Sequence, residues 1–293
     1  MIKVNHLTKL YRNGRGVRDL SFTVPEGEVF GYLGPNGAGK TTTIRNLMGF
    51  LRPDSGSCSV DGLDCWKQSA GIQMNLGFIP GEIAFFDRMT GAAFIDLLRD
   101  MRGIKHRDCV ADLLERFQLD PSERIREMSK GTKQKLAIVA ACIHDPTTMV
   151  FDEPSSGLDP LMQDVFAKFV LEEKQRGKTI LISSHNFDEV SRTCDRAGIL
   201  REGILEDVKD IHALQEMQSR RFVITLSTED DAAWLRNASL EIVKSEGRRV
   251  EIVVHGNPDP FIKILSHVSV EDVEMQPLML EQVFMRYYGK RAR

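Results

Sequence analysis

One short segment of the chain has the residue types and spacing of a phosphate-binding loop. It fits G-x-x-x-x-G-K-[ST] at every fixed position and reads Gly34-Pro35-Asn36-Gly37-Ala38-Gly39-Lys40-Thr41. A strand-like run (28–33) precedes it and a helix-like run (41–48) follows it. Its glycines let backbone amides approach an anion, and the start of the helix adds positive charge. We therefore expect the loop to cradle the phosphates of a nucleoside triphosphate, with Lys40 at the outer phosphates and Thr41 on magnesium.

Two adjacent carboxylates, Asp152 and Glu153, follow the apolar run 149–151. At the end of a buried strand they can serve a phosphate loop that lies earlier in the chain. We expect Asp152 to hold magnesium through water and Glu153 to polarise the water that attacks the terminal phosphate. The alternative is a solvated acidic pair at a strand end.

Composition sets the broad class. The chain has 293 residues, 42% hydrophobic and 28% charged, with a net charge of -3, which suits a globular protein of about two domains and gives no nucleic-acid signature. Its five cysteines have no metal-ligand spacing and predict free thiols in a reducing compartment. The sequence has no apolar run of about 18 residues and no signal-peptide layout, so we expect a cytoplasmic chain.

The elements predicted around these motifs alternate in a recognisable order. A β-rich opening precedes the phosphate loop, apolar residues recur at helical spacing over 90–117, and strands alternate with a helix from 148 onward. This is the rhythm of an α/β fold with a parallel sheet. We predict helix or linker over 206–221, a domain boundary between 214 and 215, a small α+β module over 215–293, and a closing helix over 278–288.

Over about residues 1–214 the chain resembles the ATP-binding subunits of ABC transporters. Met128 to Gln134 resembles the signature sequence of the family, with Lys130 where the commonest form has its first glycine. The run 156–159 resembles the D-loop, and His185 follows an apolar strand as the switch histidine does. Taken alone, Ser129 could be a simple helix cap, His185 a structural histidine, and Tyr11 a packed surface tyrosine.

The resemblance implies a P-loop NTPase core with a β subdomain, a RecA-like parallel sheet and a helical subdomain, which binds ATP and Mg²⁺ and hydrolyses ATP. It implies catalytic roles for Lys40, Glu153 and His185, and metal contacts from Thr41 and Asp152. The nucleotide contacts that it implies are Tyr11, Gly34, Pro35, Asn36, Gly37, Ala38, Gly39, Lys40, Thr41, Thr42, Ser129, Gly131 and Asp159. Of these, the signature sequence would meet ATP bound to a second copy, and the D-loop would contact the phosphate loop of that copy. Its expected partners are that second copy and a separate membrane permease, which would hold the chain at the inner face of the cell membrane.

The chain departs from the family pattern at the Q-loop. Gly81 stands where the family has glutamine or, in some branches, glutamate, and Glu82 follows it. Together with Lys130 and the C-terminal run 275–284, this segment resembles the ABC-2 branch, which includes drug and bacteriocin exporters. Export is expected from this resemblance alone. The alternatives are a soluble ABC ATPase or a nucleotide-binding regulator without a transport role.

Overall fold

The computed structural model of the protein describes residues 1–104, 108–216, 219–255 and 257–277. The chain divides into two compact units, Met1–Lys209 and Asp210–Arg293. The boundary between 214 and 215 stays a prediction, and the closing helix predicted over 278–288 lies outside the described residues. Within the described ranges, no helix is long and apolar enough to cross a membrane.

The first unit combines two sheets with seven α-helices and one short 3₁₀ turn (Ile125–Glu127) in its described part. Its strands are β1 (Ile2–Leu10), β2 (Gly16–Val24), β3 (Val29–Leu33), β4 (Ser55–Val60), β5 (Leu63–Asp64), β6 (Leu76–Ile79), β7 (Thr148–Asp152), β8 (Thr179–Ser184), β9 (Arg196–Arg201) and β10 (Ile204–Asp210). Its helices are α1 (Lys40–Leu47), α2 (Ser69–Asn75), α3 (Gly91–Arg102), α4 (Asp108–Arg116), α5 (Lys130–Cys142), α6 (Pro160–Gln175) and α7 (Phe187–Thr193).

The central sheet has the strand order β10-β9-β3-β8-β7-β6, and its strands from β9 to β6 run parallel. Every residue of β3, β7 and β8 is buried, as expected for a parallel sheet covered on both faces. Leu33 pairs with Ser184, and Asp152 pairs with Ser183. The carboxyl ends of three adjacent strands therefore meet at one edge of the sheet, which is where α/β folds bind ligands.

An antiparallel sheet with the order β2-β1-β4-β5 packs on the central sheet through aromatic side chains. Phe22 of β2 stacks on Phe30 of β3 at 5.3 Å and lies 5.4 Å from Tyr32. The Tyr32 hydroxyl lies 3.0 Å from Thr43 Oγ1 on α1, and its burial raises the pKa of the phenol. Each aromatic pair stabilises the fold by roughly 0.5–1.5 kcal/mol beyond the burial of its area. Tyr32, which contacts Thr43 on α1 and Phe22 on β2, thus holds α1 and the phosphate loop against both sheets.

The helical prediction for 90–117 is confirmed by α3 and α4. Thr90 caps α3 by accepting a hydrogen bond from the Ala93 amide at 3.2 Å. The helix ends at Arg102 and is capped by Gly103, whose φ of 67° is in the left-handed region that favours glycine.

The second unit contains α8 (Ile211–Glu216), β11 (Ser219–Leu226), α9 (Glu229–Arg236), β12 (Glu241–Glu246), β13 (Arg249–His255), α10 (Asp259–Leu265) and β14 (Val270–Pro277). Its antiparallel sheet has the order β12-β13-β11-β14, and from β11 onward its elements follow the β-α-β-β-α-β sequence of a ferredoxin-like fold. Ala232 and Leu235 of α9 and Phe261 of α10 share one core with Ile224 and Ile252. The predicted α+β class of this region is confirmed.

The prediction of helix or linker over 206–221 is wrong at both ends. Strand β10 continues to Asp210, and β11 begins at Ser219, which leaves only α8 as helix in the described part of this stretch. The charged residues of β10 give it no strand pattern in the sequence. It forms a strand because it pairs with β9 in the central sheet.

Candidate nucleotide site

A cleft of about 630 Å³ lies at the carboxyl edge of the central sheet. The phosphate loop between β3 and α1 forms its floor, with Gly37 and Gly39 at φ of 81° and 112°. Residues other than glycine do not adopt such angles readily, so the loop geometry explains why glycine stands at both positions. Other residues that line the cleft are Tyr11, Asn13, Arg15, Gly16, Pro35, Asn36, Lys40, Thr41, Thr42, Ile44, Arg45, Phe50, Phe78, Pro80, Gly81, Glu82, Asp152 and Glu153.

Lys40 begins α1 and is only 6% exposed. Its ammonium group donates to the carbonyl of Gly34 at 2.5 Å and lies 3.4 Å from that of Pro35. It also pairs with Glu153 Oε1 at 3.0 Å. A buried ammonium held by carbonyls and one carboxylate is set to bind the oxygens of a phosphate.

Asp152 is 2% exposed at the end of β7. Its Oδ2 accepts a hydrogen bond from Thr41 Oγ1 at 2.9 Å, and its Oδ1 accepts one from the Ser183 hydroxyl. The two predicted metal-contact residues thus lie together, as the sequence suggested. Ser183 was missed in the sequence analysis; its only signal is a polar residue at the end of an otherwise apolar strand beside β7.

Glu153 leaves the strand with a φ of 53°, a left-handed conformation that is uncommon for a non-glycine residue. Its amide donates to both the carbonyl and the hydroxyl of Ser183 at 3.1 Å. Its Oε2 lies 2.7 Å from His185 Nδ1. The backbone strain turns the carboxylate out of the sheet and into the cleft, where Lys40 and His185 flank it.

A further hydrogen-bonded layer fixes the turn that carries His185. Ser184 donates to Glu189 Oε2 at 2.6 Å and accepts from the Asn186 amide at 3.0 Å. Burial raises the pKa of Glu189. The exposed His185 ring therefore rests on an anchored turn rather than on a free loop.

Tyr11 lies at the mouth of the cleft, 38% exposed, and its hydroxyl accepts from Thr42 Oγ1 at 3.5 Å. It closes a tight turn in which its amide donates to the Arg15 carbonyl at 2.7 Å. Sequence analysis did not select Asn13, Arg15 or Arg45, which line the same end of the cleft. The Tyr11 ring is open to stacking by a flat base, and the neighbouring Arg15 and Arg45 add positive charge.

Five predicted nucleotide contacts are not among the residues that line this cleft, namely Gly34 and Ala38 of the phosphate loop and Ser129, Gly131 and Asp159. The predicted catalytic residue His185 is also outside this lining and reaches the cleft through Glu153. Ser129 caps α5 by accepting from the Thr132 amide at 3.0 Å, and Asp159 caps α6 by accepting from the Met162 amide at 2.9 Å. The capping role that the sequence left open for Ser129 is therefore present. Only a surface outside the cleft remains for Ser129, Gly131 and Asp159 to contact a nucleotide.

Gly81 lies directly against the predicted metal ligand. A Cβ at this position would come within 3.0 Å of Asp152 Oδ2, which is tighter than ordinary van der Waals contact. The neighbouring Glu82 lines the cleft and is exposed. Gly81 therefore adjoins Asp152, and Glu82 is the carboxylate beside it that lines the cleft. Whether Glu82 replaces the glutamine of the Q-loop stays a prediction.

The parallel sheet, the phosphate loop between β3 and α1, and the carboxylates at the end of β7 define a P-loop nucleoside triphosphatase. A family model described as "ABC transporter" matches residues 17–156. The ABC transporter ATP-binding protein NatA of Bacillus subtilis (strain 168) is 40% identical over 195 residues, which cover 64% of this chain and 79% of NatA. The linearmycin resistance ATP-binding protein LnrL of the same organism is 34% identical over 100% of both chains.

Comparison of the structure with solved structures indicates the same family. It superposes on a solved ATP-binding subunit of an ABC transporter with a TM-score of 0.68 and 29% identity, over 73% of this chain and 92% of the other. The chain belongs to the ABC transporter family as an ATP-binding and ATP-hydrolysing subunit with a role in transport. The predictions of fold class, family, ATPase activity and transport role are confirmed, whereas the roles of individual residues stay predictions.

Proposed function

We propose that Glu153 is the general base of ATP hydrolysis, with Lys40 and His185 as its catalytic partners. The observation that carries this proposal is the position of the Glu153 carboxylate, 3.0 Å from Lys40 Nζ and 2.7 Å from His185 Nδ1, one residue after Asp152. A carboxylate in this position can accept a proton from a water aimed at the terminal phosphate.

The reaction needs no covalent intermediate with the protein. The water oxygen bonds to the γ-phosphorus, the bond between that phosphorus and the bridging oxygen of ADP breaks, and Glu153 takes the proton of the water. Lys40 and the amides of the phosphate loop stabilise the charge on the phosphate oxygens, and His185 contacts the γ-phosphate. Lys40 pairs with Glu153 in this structure. An arriving triphosphate would replace the Glu153 carboxylate beside the Lys40 ammonium, and the carboxylate would then be free to bind the water.

The donor set of Thr41 and Asp152 fits magnesium, which prefers hard oxygen ligands. Among residues 1–104, 108–216, 219–255 and 257–277, no three His, Cys, Asp or Glu side chains form a metal-binding group. One carboxylate and one hydroxyl suit an ion that also binds substrate phosphates. Magnesium, when bound, would neutralise charge on the β- and γ-phosphates; Asp152 and Thr41 would orient it, with Ser183 holding the carboxylate.

A second copy of the chain would complete the site. Ser129, Gly131 and Asp159 lie outside the cleft of their own chain, yet the family resemblance assigns them to a nucleotide. A second copy facing the cleft would present the amino end of α5 to the terminal phosphate, where helix amides stabilise negative charge. Two ATP molecules would then hold the two copies together.

A membrane permease would be the second partner of the chain. An apolar groove of about 260 Å³ in the first unit adjoins the nucleotide cleft, and Phe50, Phe78 and Pro80 line both. A permease segment seated there would respond to nucleotide through these shared residues, at the inner face of the membrane. Export is favoured by the resemblance to the ABC-2 branch and by LnrL, which is named for resistance to linearmycin. Residues 215–293 would serve assembly or regulation.

Replacing Glu153 by glutamine tests the assignment of the base. Because the amide cannot accept the proton of the water, Glu153→Gln should keep ATP binding and lower steady-state turnover by about 10²- to 10⁴-fold. Turnover is measured by phosphate release and binding by a fluorescent ATP analogue. Glutamine variants of Glu82 and Glu202 serve as controls, the first for another carboxylate in the cleft and the second for an exposed carboxylate. Wild-type turnover in Glu153→Gln would remove Glu153 from the base role.

A further inference from the structure

The amino end of α5 and residues 154–158 pack as one unit. The Lys130 side chain lies along Gly157, so that a Cβ on Gly157 would meet Lys130 Cγ and Cδ at 3.1 Å. Its Nζ donates to Ser156 Oγ at 3.2 Å. On the other side of the contact, a Cβ on Gly131 would lie 2.8 Å from the Gly157 carbonyl. These glycines leave no space between the two segments.

A second bond from α5 holds the start of the same loop. Gln134 is buried, and its amide donates to the Pro154 carbonyl at 2.7 Å. The loop itself closes by bonds from the Ser156 amide to the Glu153 carbonyl at 3.1 Å and from the Leu158 amide to the Ser155 carbonyl at 3.0 Å. The position of Lys130 is therefore linked to Glu153 through three residues of ordered backbone.

Lys130 stands in an unfavourable position for helix stability. It is the first residue of α5, and Lys133 follows three residues later. The first turn of the helix has no acidic residue. A cation at a helix amino end faces the positive end of the helix dipole and costs stability. Its hydrogen-bond partner, the Ser156 hydroxyl, is neutral and does not offset the charge. A residue that breaks a local rule in this way calls for a compensating function.

We propose that Lys130 is a positioning residue that clamps the turn 155–158 to the amino end of α5. The stem of the lysine packs on Gly157 and its ammonium holds Ser156, so the two segments that face a second copy move together. In the commonest family form, glycine at this position has neither group. This inference rests on the proposed shared site, because the clamped surface is the one that the second copy would meet.

Hydrogen exchange of the nucleotide-free chain tests the clamp without any dimer. In Lys130→Met the hydrogen bond to Ser156 is lost, so the amides of Ser156 and Leu158 should exchange about five-fold faster. Lys133→Met removes a charge from the same turn and should leave these amides unchanged. Thermal unfolding should show Lys130→Met at least as stable as the wild type, because the charge at the helix end is gone. Unchanged exchange in Lys130→Met would overturn the clamp.

Dimerisation driven by ATP and magnesium, measured by sedimentation in the Glu153→Gln background, tests the function of the clamp. Lys130→Met and Ser156→Ala should each weaken dimerisation by about ten-fold, and the double variant should be no weaker than either, because both remove one contact. Additive losses would overturn the clamp, since the lysine would then act directly on the nucleotide of the second copy. A Glu153→Gln chain that binds ATP and stays monomeric would refute the shared site, while the exchange result would still decide the clamp.

Discussion

At the scale of single residues, the site depends on one serine that no motif marks. Ser183 donates to Asp152 Oδ1 and accepts from the Glu153 amide, so it orients the predicted metal ligand and the predicted base together. Asp152 is 2% exposed, and water cannot easily replace a lost partner there.

We expect Ser183→Ala to lower the free energy of unfolding by about 1–3 kcal/mol, because it leaves a buried carboxylate oxygen without its donor. It should also raise the magnesium concentration needed for half-maximal ATPase activity, since Asp152 loses its orientation. Urea unfolding without nucleotide and a magnesium titration of activity measure the two effects. Ser122→Ala, at an exposed hydroxyl, is the control. A change in stability without any change in the magnesium titration would contradict the orienting role.

At the scale of elements, the phosphate loop is held by strands on both sides of it. A Cβ on Gly34 would lie 2.5 Å from the Leu200 carbonyl of β9, and a Cβ on Gly39 would lie 2.6 Å from Val17 Cγ1 of β2. The Gly203 amide donates to the Ala38 carbonyl at 2.8 Å. The motif therefore needs glycine at 34 for close packing, whereas positive φ explains glycine at 37 and 39.

Gly34→Ala tests this packing requirement. The added methyl group would displace either β9 or the loop, so we expect a loss of about 1–3 kcal/mol in the free energy of unfolding. The Gly34 carbonyl also holds Lys40, and the KM for ATP should rise by about ten-fold or more because that lysine is misplaced by the shift. Gly71→Ala on α2, where the nearest atom is 3.6 Å away, should be neutral or slightly stabilising. An unchanged KM in Gly34→Ala would show that β9 yields instead of the loop.

At the scale of the whole molecule, the sequence predicts what contiguous segments encode and misses what pairing decides. The phosphate loop, the Asp152 pair and α6 could be predicted, because each has its signal within a few neighbouring residues. The charged strand β10 and the order β12-β13-β11-β14 could not, since both depend on partners elsewhere in the chain. For the same reason Ser183 was missed: only the register with Asp152 on β7 shows its role.

The partial burial of His144, at the amino edge of the central sheet, predicts that stability depends on pH. His144 lines a polar cavity near the amino ends of β7 and β8. Its burial, with a smaller contribution from the charge of Arg102, lowers the pKa of the imidazole to about 4. The unfolded chain, with a histidine pKa of about 6.5, therefore binds more protons than the folded chain between these two values.

The free energy of unfolding should therefore fall as pH drops from about 6.5 to 4, because protonation favours the unfolded chain. His144→Gln should remove this part of the pH dependence, which we expect to amount to about 1–2 kcal/mol after allowance for partial exposure. Urea unfolding of both proteins at pH 7.5, 5.5 and 4.5 would show it, with His212→Gln as an exposed control. Because carboxylates titrate equally in both proteins, the change in their stability difference with pH isolates His144. A constant difference across the series would mean that His144 is already accessible to protons in the folded chain.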